Sequence, residues 1–558
     1  MATHTATRHD EPLTHRQIIT ILVGLMMGMF LAALDQTIVA TAIRTIADDL
    51  KGLDEQAWAT TAYLITSTIV TPLYGKLSDI YGRKKFFLAA ISIFVVGSML
   101  CTLSQSMLQL AFYRAFQGLG AGGLFALALA IIGDIVPPRE RAKYQGYFLA
   151  VFGTSSVLGP VIGGFLAGQS SILGIDGWRW VFLVNVPIGV LALLVVGRTL
   201  HLHHTRLDHR IDWGGAVALS VGLVPLLLVA EQGREWGWGS GRSVACFVVG
   251  GLGVVAFLLI ERAMGAEALV PLSLFKERTV AVASTASVII GVAMFGGLVS
   301  IPLYLQIVKG ATPTEAGLML LPLTLGIMSA SILSGQLISR TGRYRHWPII
   351  GAALLTVALF VFHYVHADTP LWQTMVVMVF FGAGLGFNFQ PLTLAVQNAV
   401  SPRLIGVATS SATFSRQIGG TLGAAVFLSI LFTTAPDKIA AAMQKAIPTK
   451  DFQAALHDPA NAAFAKQLAA TRQSGGSAGS GSGVLKDSSF LSSLDPRLAK
   501  PFLQGFSDSM DLVFLVGSGV MVFGFLVMWL LPHVELRSGS AYSERGKADA
   551  EAAAAEPL

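Results

Sequence analysis

Two charged residues lie inside apolar segments of this chain, where a charge is costly. Asp35 is in the apolar segment that begins near Ile18, and Arg114 is in the one that begins near Leu108. A charge at the centre of a bilayer costs about 2.5–3.5 kcal/mol or more, so such residues usually have a function. At a rise of 1.5 Å per residue, both lie about 10 Å below the same membrane surface. The two side chains can therefore pair or share a water-filled cavity.

An aspartate beside an arginine can change its protonation state when its surroundings change. Burial favours the neutral form of a carboxyl group, and a nearby cation favours the charged form. A small rearrangement around Asp35 can therefore load or release a proton, as a proton-coupled carrier requires. The alternative is a static ion pair between Asp35 and Arg114 that holds two helices together.

The elements that must position these residues are membrane-spanning helices. The chain has 558 residues, of which 53% are hydrophobic and 13% charged, and its mean hydropathy is +0.65. Soluble proteins carry about 25% charged residues, so most of this chain must lie in lipid. Fourteen candidate spans begin near Ile18, Ala57, Phe86, Leu108, Ala142, Trp180, Trp213, Val244, Val280, Ala316, Trp347, Leu371, Val407 and Leu512.

A charged turn between the second and third spans has a near copy in the second half of the chain. The first turn is GKLSDIYGRKK, residues 75–85, and the second is GQLISRTGRYR, residues 335–345. This repetition predicts two related halves, the architecture of a transporter. In the first turn a carboxylate can bond helix N-terminal amides and an arginine can bridge a gap, so the turn can hold one side of the molecule shut. The predicted gating residues are Gly75, Asp79, Gly82 and Arg83.

Two further groups of residues are candidates for transport. Gly159, Pro160, Gly163 and Gly164 in span five predict a kinked helix that packs closely against a neighbour, and this can also seal a cavity against ion leak. The second group is polar, aromatic or methionine residues that are candidate cavity lining, with helix packing as the alternative. Its members are Gln36, Gln117, Met294, Phe295, Tyr304, Asn388, Gln390 and Arg416.

The distribution of positive charge predicts the orientation and the domain organisation. An even number of spans puts both termini on one side, and Lys and Arg concentrate in loops on that side, which is therefore cytoplasmic. The predicted parts are a cytoplasmic tail (1–17), an N-terminal six-helix bundle (18–200), cytoplasmic linkers with two extra transmembrane helices (201–278), a C-terminal six-helix bundle (279–532) that includes an extracytoplasmic loop (433–509), and a disordered cytoplasmic tail (533–558). The outer loop fits three roles: a cap, a partner-docking element or a spacer.

Several classes of function are not expected. The net charge of +6 could suggest nucleic acid, but the Lys and Arg residues lie in short loops between spans, so we expect no nucleic-acid partner. The sequence has no GxxxxGK[ST] loop for ATP and no nucleophile–base set or metal cluster in its loops. We therefore expect no enzyme activity, no cofactor and no metal.

The motifs together resemble the major facilitator superfamily, and within it the fourteen-span drug:proton antiporters of the EmrB/QacA type. The resemblance covers about residues 18–532 and is carried by LDQTIVATAI (34–43), the turn at 75–85, YRAFQGLGAG (113–122), the span-five motif with Gly159 and Pro160, WRWVFLVNVPIG (178–189) and YLQIVKGATPTEAGLMLLP (304–322). Ser155 stands where the antiporter motif usually has glycine. The family implies an all-α fold of two six-helix bundles, here with two extra central helices.

The resemblance implies proton-driven export from the inner (plasma) membrane by alternating access. The predicted partners are membrane lipid, protons and small amphipathic or cationic substrates, because Asp35 would give the cavity an acidic point. A periplasmic adaptor and action as a monomer are both compatible with this family. Two other functions fit the residues less well: export of an endogenous lipid or secondary metabolite, and a non-transporting scaffold or receptor that uses the outer loop.

Overall fold

The computed structural model describes residues 15–52, 55–200, 211–458, 461, 464, 466 and 494–536. Most of the predicted tails, the histidine-containing linker at 201–210 and the Gly/Ser tract at 474–483 lie outside these residues. The described chain is almost entirely helical, with one short hairpin of β1 (Ser171–Ile172) and β2 (Ile175–Asp176). The predicted all-α fold is confirmed.

The first half consists of long helices joined by short connections. They are α1 (His15–Asp49), α2 (Gln56–Tyr81), α3 (Arg83–Thr102), α4 (Met107–Ile135), α5 (Pro138–Ala167), α6 (Trp180–Leu183) and α7 (Asn185–Thr199). The helix α1 continues to Asp49, so Asp35 lies farther from the end of its helix than the predicted depth of about 10 Å implies. The sequence misses this extension because the last turns of α1 are polar.

The extra pair and the second half continue the same pattern. The extra pair is α8 (Trp213–Trp236) and α9 (Gly241–Met264). The second half contains α10 (Arg278–Leu303), a π-helical turn (Tyr304–Val308), α11 (Pro313–Met319), α12 (Leu321–Thr341), α13 (His346–Phe362), α14 (Leu371–Ala399), α15 (Ile405–Ala446), α16 (Lys450–Leu456) and α17 (Pro496–Trp529).

Twelve helices of the described chain are long and apolar enough to cross a membrane. Two predicted spans are not among them. The helix α13 has only 17 residues, and α2 has 26 residues but is rich in threonine. Both pack within a half of the molecule, with α2 against α4 and α13 against α14.

The two halves meet along two pairs of helices, α5 with α12 and α2 with α15. These contacts are close because small residues line them. A side chain at Gly153 would clash with Thr324 on α12, and one at Gly75 would clash with Ser410 on α15. The extra helix α8 packs apolar residues such as Leu219 against both α2 and α15, so it covers one of these seams.

The predicted outer loop begins and ends as continuations of spans. The helix α15 runs for 42 residues without a break, and α17 begins at Pro496 and continues into the last span. Ile439 and Phe502 are buried in a shared core between the two helices. Hydrogen bonds from Arg497 lower the pKa of Asp495, the N-cap residue of α17, to about 2. The cap is therefore charged at neutral pH.

Candidate functional site

Asp35 and Arg114 are in contact, and both are buried. The Nη1 atom of Arg114 lies 2.5 Å from Asp35 Oδ2, and the side chains of Arg114 and Asp35 are 1% and 0% exposed. The helices α1 and α4 bring them together from positions 79 residues apart. Arg114 also stacks over the ring of Tyr63 at 4.1 Å, which supplies a further favourable contact for a buried cation.

Amide side chains complete the hydrogen bonding of the Asp35 carboxylate. Gln117 Nε2 donates to Asp35 Oδ1 at 2.9 Å, and Asn185 Nδ2 donates to the same oxygen at 2.8 Å. Both amides also donate to Ser98 Oγ, at 2.7 Å and 3.0 Å. Asp35 thus accepts three hydrogen bonds, from Arg114, Gln117 and Asn185. Protonation of Asp35 must weaken at least the ion pair with Arg114.

Sequence reasoning missed two members of this network. Asn185 and Ser98 each stand alone in an apolar run, FLVNVPIG and FVVGSML. A lone polar residue inside a span usually bonds across to another helix, and this signal could have identified both. The network therefore joins four helices, α1, α3, α4 and α7, around one carboxylate.

The predicted gating residues form a second cluster, at the end of the molecule that carries the Gly82 turn, called here the Gly82 end. Arg83 pairs with Asp79 at 2.5 Å and with Asp134 at 2.8 Å. Asp79 Oδ2 also accepts a hydrogen bond of 2.9 Å from the backbone N–H of Val407, at the start of α15. A first-half carboxylate therefore binds the N-terminus of a second-half helix, where negative charge is favoured.

Two glycines let this cluster close. Gly82 has a φ of 102°, a backbone conformation that other residues adopt rarely, and it turns the chain between α2 and α3. Gly406 lies directly against Asp79 and Arg83, and any side chain there would clash with the guanidinium. In the second turn, Ser339 stands in place of Asp79 and donates a hydrogen bond to Gln336 O of its own helix. Only the first turn has an aspartate that bonds across to the other half.

The span-five motif packs on the segment of α1 next to Asp35. A side chain at Gly159 would clash with Thr37, and one at Gly163 would approach the backbone oxygen of Ile38 to 2.8 Å. Thr37 Oγ1 donates to Ser155 O at 3.0 Å. On the other side of α5, Gly164 and Pro160 face α11, where Pro160 touches the position of Gly317. The helix α5 therefore contacts the Asp35 helix and the second half at once.

A cavity of about 140 Å³ lies between the two halves. Aromatic and apolar side chains form most of its wall. They come from both halves: Met29, Phe125, Leu129, Phe148, Phe152, Met294, Phe295, Leu298, Ile327, Leu385 and Phe389. The polar members are Gln36, Gln390, Thr393, Thr413, Arg416 and Gln417. This composition, an apolar wall with a few placed polar groups, is typical of small-molecule sites.

The structure separates the predicted lining residues into two sets. Gln36, Met294, Phe295, Gln390 and Arg416 line the cavity. The other three lie elsewhere. Gln117 belongs to the Asp35 network, Tyr304 donates its hydroxyl to His366 O, and Asn388 donates to Gly384 O within α14.

Asp35 does not give the cavity an acidic point, as the sequence predicts, because it is fully buried against Arg114. Its neighbour Gln36 does face the cavity, so α1 carries the buried network and the cavity wall on adjacent residues. A movement of α1 therefore affects both at once.

The end opposite the Gly82 end has its own polar contacts. Lys309 Nζ donates to the backbone oxygens of Ala367 and Thr369, both at 2.7 Å, and burial lowers the pKa of Lys309. His366, Asp508 and Asp511 come within 4.8 Å of one another through their ligand atoms. Exposed carboxylates often gather without an ion, so this cluster alone defines no metal site.

Comparison with known proteins agrees with this architecture. The family model of the Major Facilitator Superfamily matches residues 25–424. Multidrug resistance protein 3 of Bacillus subtilis is 37% identical over 412 residues, 73% of this chain and 78% of that protein. An uncharacterized MFS-type transporter of Mycobacterium tuberculosis is 34% identical over 537 residues, 95% of this chain and 72% of that protein.

Among solved structures, the proton:xylose symporter XylE bound to 6-bromo-6-deoxy-D-glucose has a TM-score of 0.59 at 15% identity. The match covers 96% of this chain and 99% of the symporter, and at that identity it shows the shared fold alone.

The protein has two helical halves with a central cavity between them, and at one end Asp79 binds the N-terminus of α15, a contact called here the latch. These features define a multi-pass membrane transporter and not an enzyme. The chain belongs to the Major Facilitator Superfamily.

Proposed function

We propose that this transporter is a proton-coupled exporter of small amphipathic compounds, an antiporter of the fourteen-span EmrB/QacA type. The observation that carries the proposal is the buried network around Asp35. A carboxylate held by Arg114, Gln117 and Asn185 can exchange a proton only when the network rearranges. Gln36 lies next to Asp35 and faces the cavity, so cavity occupancy and the state of Asp35 are linked through one helix.

The helix count and the relatives support the subtype. Fourteen spans result when α2 and α13 are added to the twelve long apolar helices. The extra pair, α8 and α9, lies between the two halves in the sequence, as expected for a fourteen-span protein. A relative with 37% identity is named a multidrug resistance protein.

The latch supports alternating access as the transport mechanism. Asp79 joins the two halves at the Gly82 end, and the cavity lies between those halves. We infer that the Gly82 end faces the cytoplasm, because Lys76, Arg83, Lys84 and Lys85 cluster there. Both termini then lie in the cytoplasm and the protein exports from the plasma membrane. Opening the cytoplasmic side requires the Asp79 contact to break.

The test uses everted membrane vesicles that carry a proton gradient. Candidate compounds are added, and proton movement is followed with a pH-sensitive dye for wild type, Asp35→Asn and the control Asp48→Asn. Asp48 lies on the same helix but is exposed. We expect compound-dependent proton efflux from the vesicles in wild type and in Asp48→Asn, and its loss in Asp35→Asn at equal expression.

The outcomes separate the hypotheses. Unimpaired proton movement in Asp35→Asn would make the Asp35–Arg114 pair a structural contact and refute its role in coupling. If wild type moves no protons with any compound of a panel that includes ethidium and an aromatic carboxylate, the drug hypothesis fails. Export of an endogenous lipid or secondary metabolite then becomes the leading function.

A further inference from the structure

The wall of the central cavity carries one charged side chain among the described residues, and it is a cation. Arg416 on α15 lines the cavity and stacks over the ring of Phe389 at 4.2 Å. Each ion pair found in the described chain involves other residues, so Arg416 has no carboxylate partner there. Contact with an aromatic ring stabilises a guanidinium in part but does not neutralise its charge.

The position of Arg416 is fixed by backbone packing. A side chain at Gly291 on α10 would clash with the backbone oxygen of Arg416, so the two helices touch directly at this point. This contact holds the backbone of Arg416 in place, and the guanidinium reaches the cavity wall. The N–H donors of the planar guanidinium can form two parallel hydrogen bonds with a carboxylate or another oxyanion.

A second polar group at the cavity also has no partner. Gln390 is 3% exposed, and neither its Nε2 nor its Oε1 has a hydrogen-bond partner among the described residues. An unsatisfied buried amide costs about 1–3 kcal/mol. A bound molecule that forms hydrogen bonds with this amide would remove that cost.

The rest of the wall favours an aromatic body. Phe148, Phe152 and Phe295 line the cavity together with Phe389. The volume of about 140 Å³ is close to that of a protein cavity known to hold one benzene ring, about 150 Å³. A lipophilic cation has a poorer fit, because Arg416 repels it and already covers the face of Phe389.

We propose that this cavity selects amphipathic aromatic anions. The oxyanion pairs with Arg416, a second polar group bonds Gln390, and the ring packs among the phenylalanines. The inference rests on the proposed function, since it names the substrate class of the same exporter. It replaces the preference for cations that the sequence predicts from Asp35, because Asp35 is neutralised outside the cavity.

The test is equilibrium binding to the purified full-length protein. The probes are salicylate, its neutral isostere salicylamide, and ethidium. We expect wild type to bind salicylate about ten- to a hundredfold more tightly than salicylamide, as for a charge-assisted hydrogen-bonded pair. Arg416→Gln should remove that preference, and Arg416→Lys should keep part of it. The control Arg343→Gln changes an exposed arginine of the second turn and should bind as wild type does.

A charge reversal keeps the test decisive if Arg416→Gln folds poorly. Arg416→Glu, checked for a single symmetric peak in size-exclusion chromatography, should bind ethidium more tightly than salicylate. Tighter binding of ethidium than of salicylate by wild type would overturn the proposal. So would an unchanged salicylate preference in Arg416→Gln or Arg416→Glu.

Binding needs no proton gradient, so this experiment can fail independently of the coupling experiment. Loss of salicylate binding in Arg416→Gln, without any proton movement by wild type, would support the anion site and refute the coupling. Ethidium-driven proton movement by a protein that prefers cations would support the coupling and refute the anion site.

Discussion

At the residue scale, the charges of this transporter fall into two kinds. Asp35 and Arg83 each satisfy their charge through several partners, with hydrogen bonds from amides or ion pairs to two carboxylates. Among the described residues, Arg416 has no carboxylate partner and stacks on the ring of Phe389. Buried charges that are paired hold a conformation, and release of that conformation requires a change of protonation or of contacts. A charge at a cavity wall without a counterion instead attracts one from outside, as a substrate can provide.

The amide donors to Asp35 hold its carboxylate in the buried network. Asn185→Leu removes one of these hydrogen bonds and leaves the carboxylate less firmly positioned. We expect the initial rate of coupled efflux to fall about tenfold, the equivalent of one hydrogen bond to a charged group. Initial rates in proteoliposomes of equal protein content measure the loss.

The control for this change is Gln169→Leu, an exposed glutamine near the β-hairpin. Its rate should equal that of wild type. An equal rate for Asn185→Leu and wild type would contradict the prediction.

At the element scale, glycine determines how closely the helices approach. The helices α10 and α15 meet at Gly291, Gly419 and Gly423, where an added side chain would strike the backbone of the partner helix. Glycine also allows α4 to pack closely against α2, at Gly118 and Gly122. Because lipid removes most of the hydrophobic drive between helices, such close contacts supply much of the association energy in a membrane.

The contact of Gly423 with Val292 can be tested by a substitution that adds one methyl group. Gly423→Ala should destabilise the protein by about 1–3 kcal/mol, because the methyl group overpacks against the backbone of Val292 and the helices must separate. Gly519→Ala on α17 is the matched control, since no atom lies within 4 Å of the added carbon. Thermal melting in detergent compares the two variants. An equal melting temperature for both would show that α10 and α15 are not held at this distance.

At the scale of the whole molecule, the two charged turns contribute unequally to the contact between the halves. The Gly82 end is held by Asp79 at the N-terminus of α15 and by Gln397, which donates from α14 to Leu129 O on α4 at 3.0 Å. The second turn has Ser339 in place of Asp79 and bonds within its own helix. This asymmetry places the control of opening at the Gly82 end in the first half.

Loss of the latch should open the Gly82 end. Ser410 lies at the seam between the halves and is 1% exposed, so a cysteine placed there in a background without Cys246 should react slowly with a membrane-permeant maleimide. Adding Asp79→Asn removes the charge that binds the α15 N-terminus, and we expect the reaction to accelerate about fivefold or more, equivalent to about 1 kcal/mol or more.

The matched control for the latch is Ser339→Asn, at the equivalent place in the second turn. It should leave the labelling rate of the cysteine at position 410 unchanged. Equal rates with and without Asp79→Asn would mean that the halves are held at this end by packing alone.

The sequence by itself determined the approximate positions of the spans, the repeated turn and most of the charged residues that are candidates for function. Hydropathy and spacing are local properties, so α1 to α5 and both charged turns could be predicted from consecutive residues. The polar last turns of α1 and the continuous helix of α15 could not, because packing against neighbouring elements and not the apolar pattern sets where those helices end.

Only the tertiary structure decided what surrounds each charge. Asp35 and Arg114 could be placed at similar depth from the sequence, but Asn185 reaches Asp35 from a helix distant in sequence, and Ser98 accepts a hydrogen bond from Asn185 on yet another helix. Arg416 and Asp35 both look like cavity residues in the sequence, yet one lines the cavity and the other is enclosed. The rotation of each helix about its own axis makes that difference. That rotation is set by contacts between helices, such as Gly159 on Thr37, and no single helix encodes it.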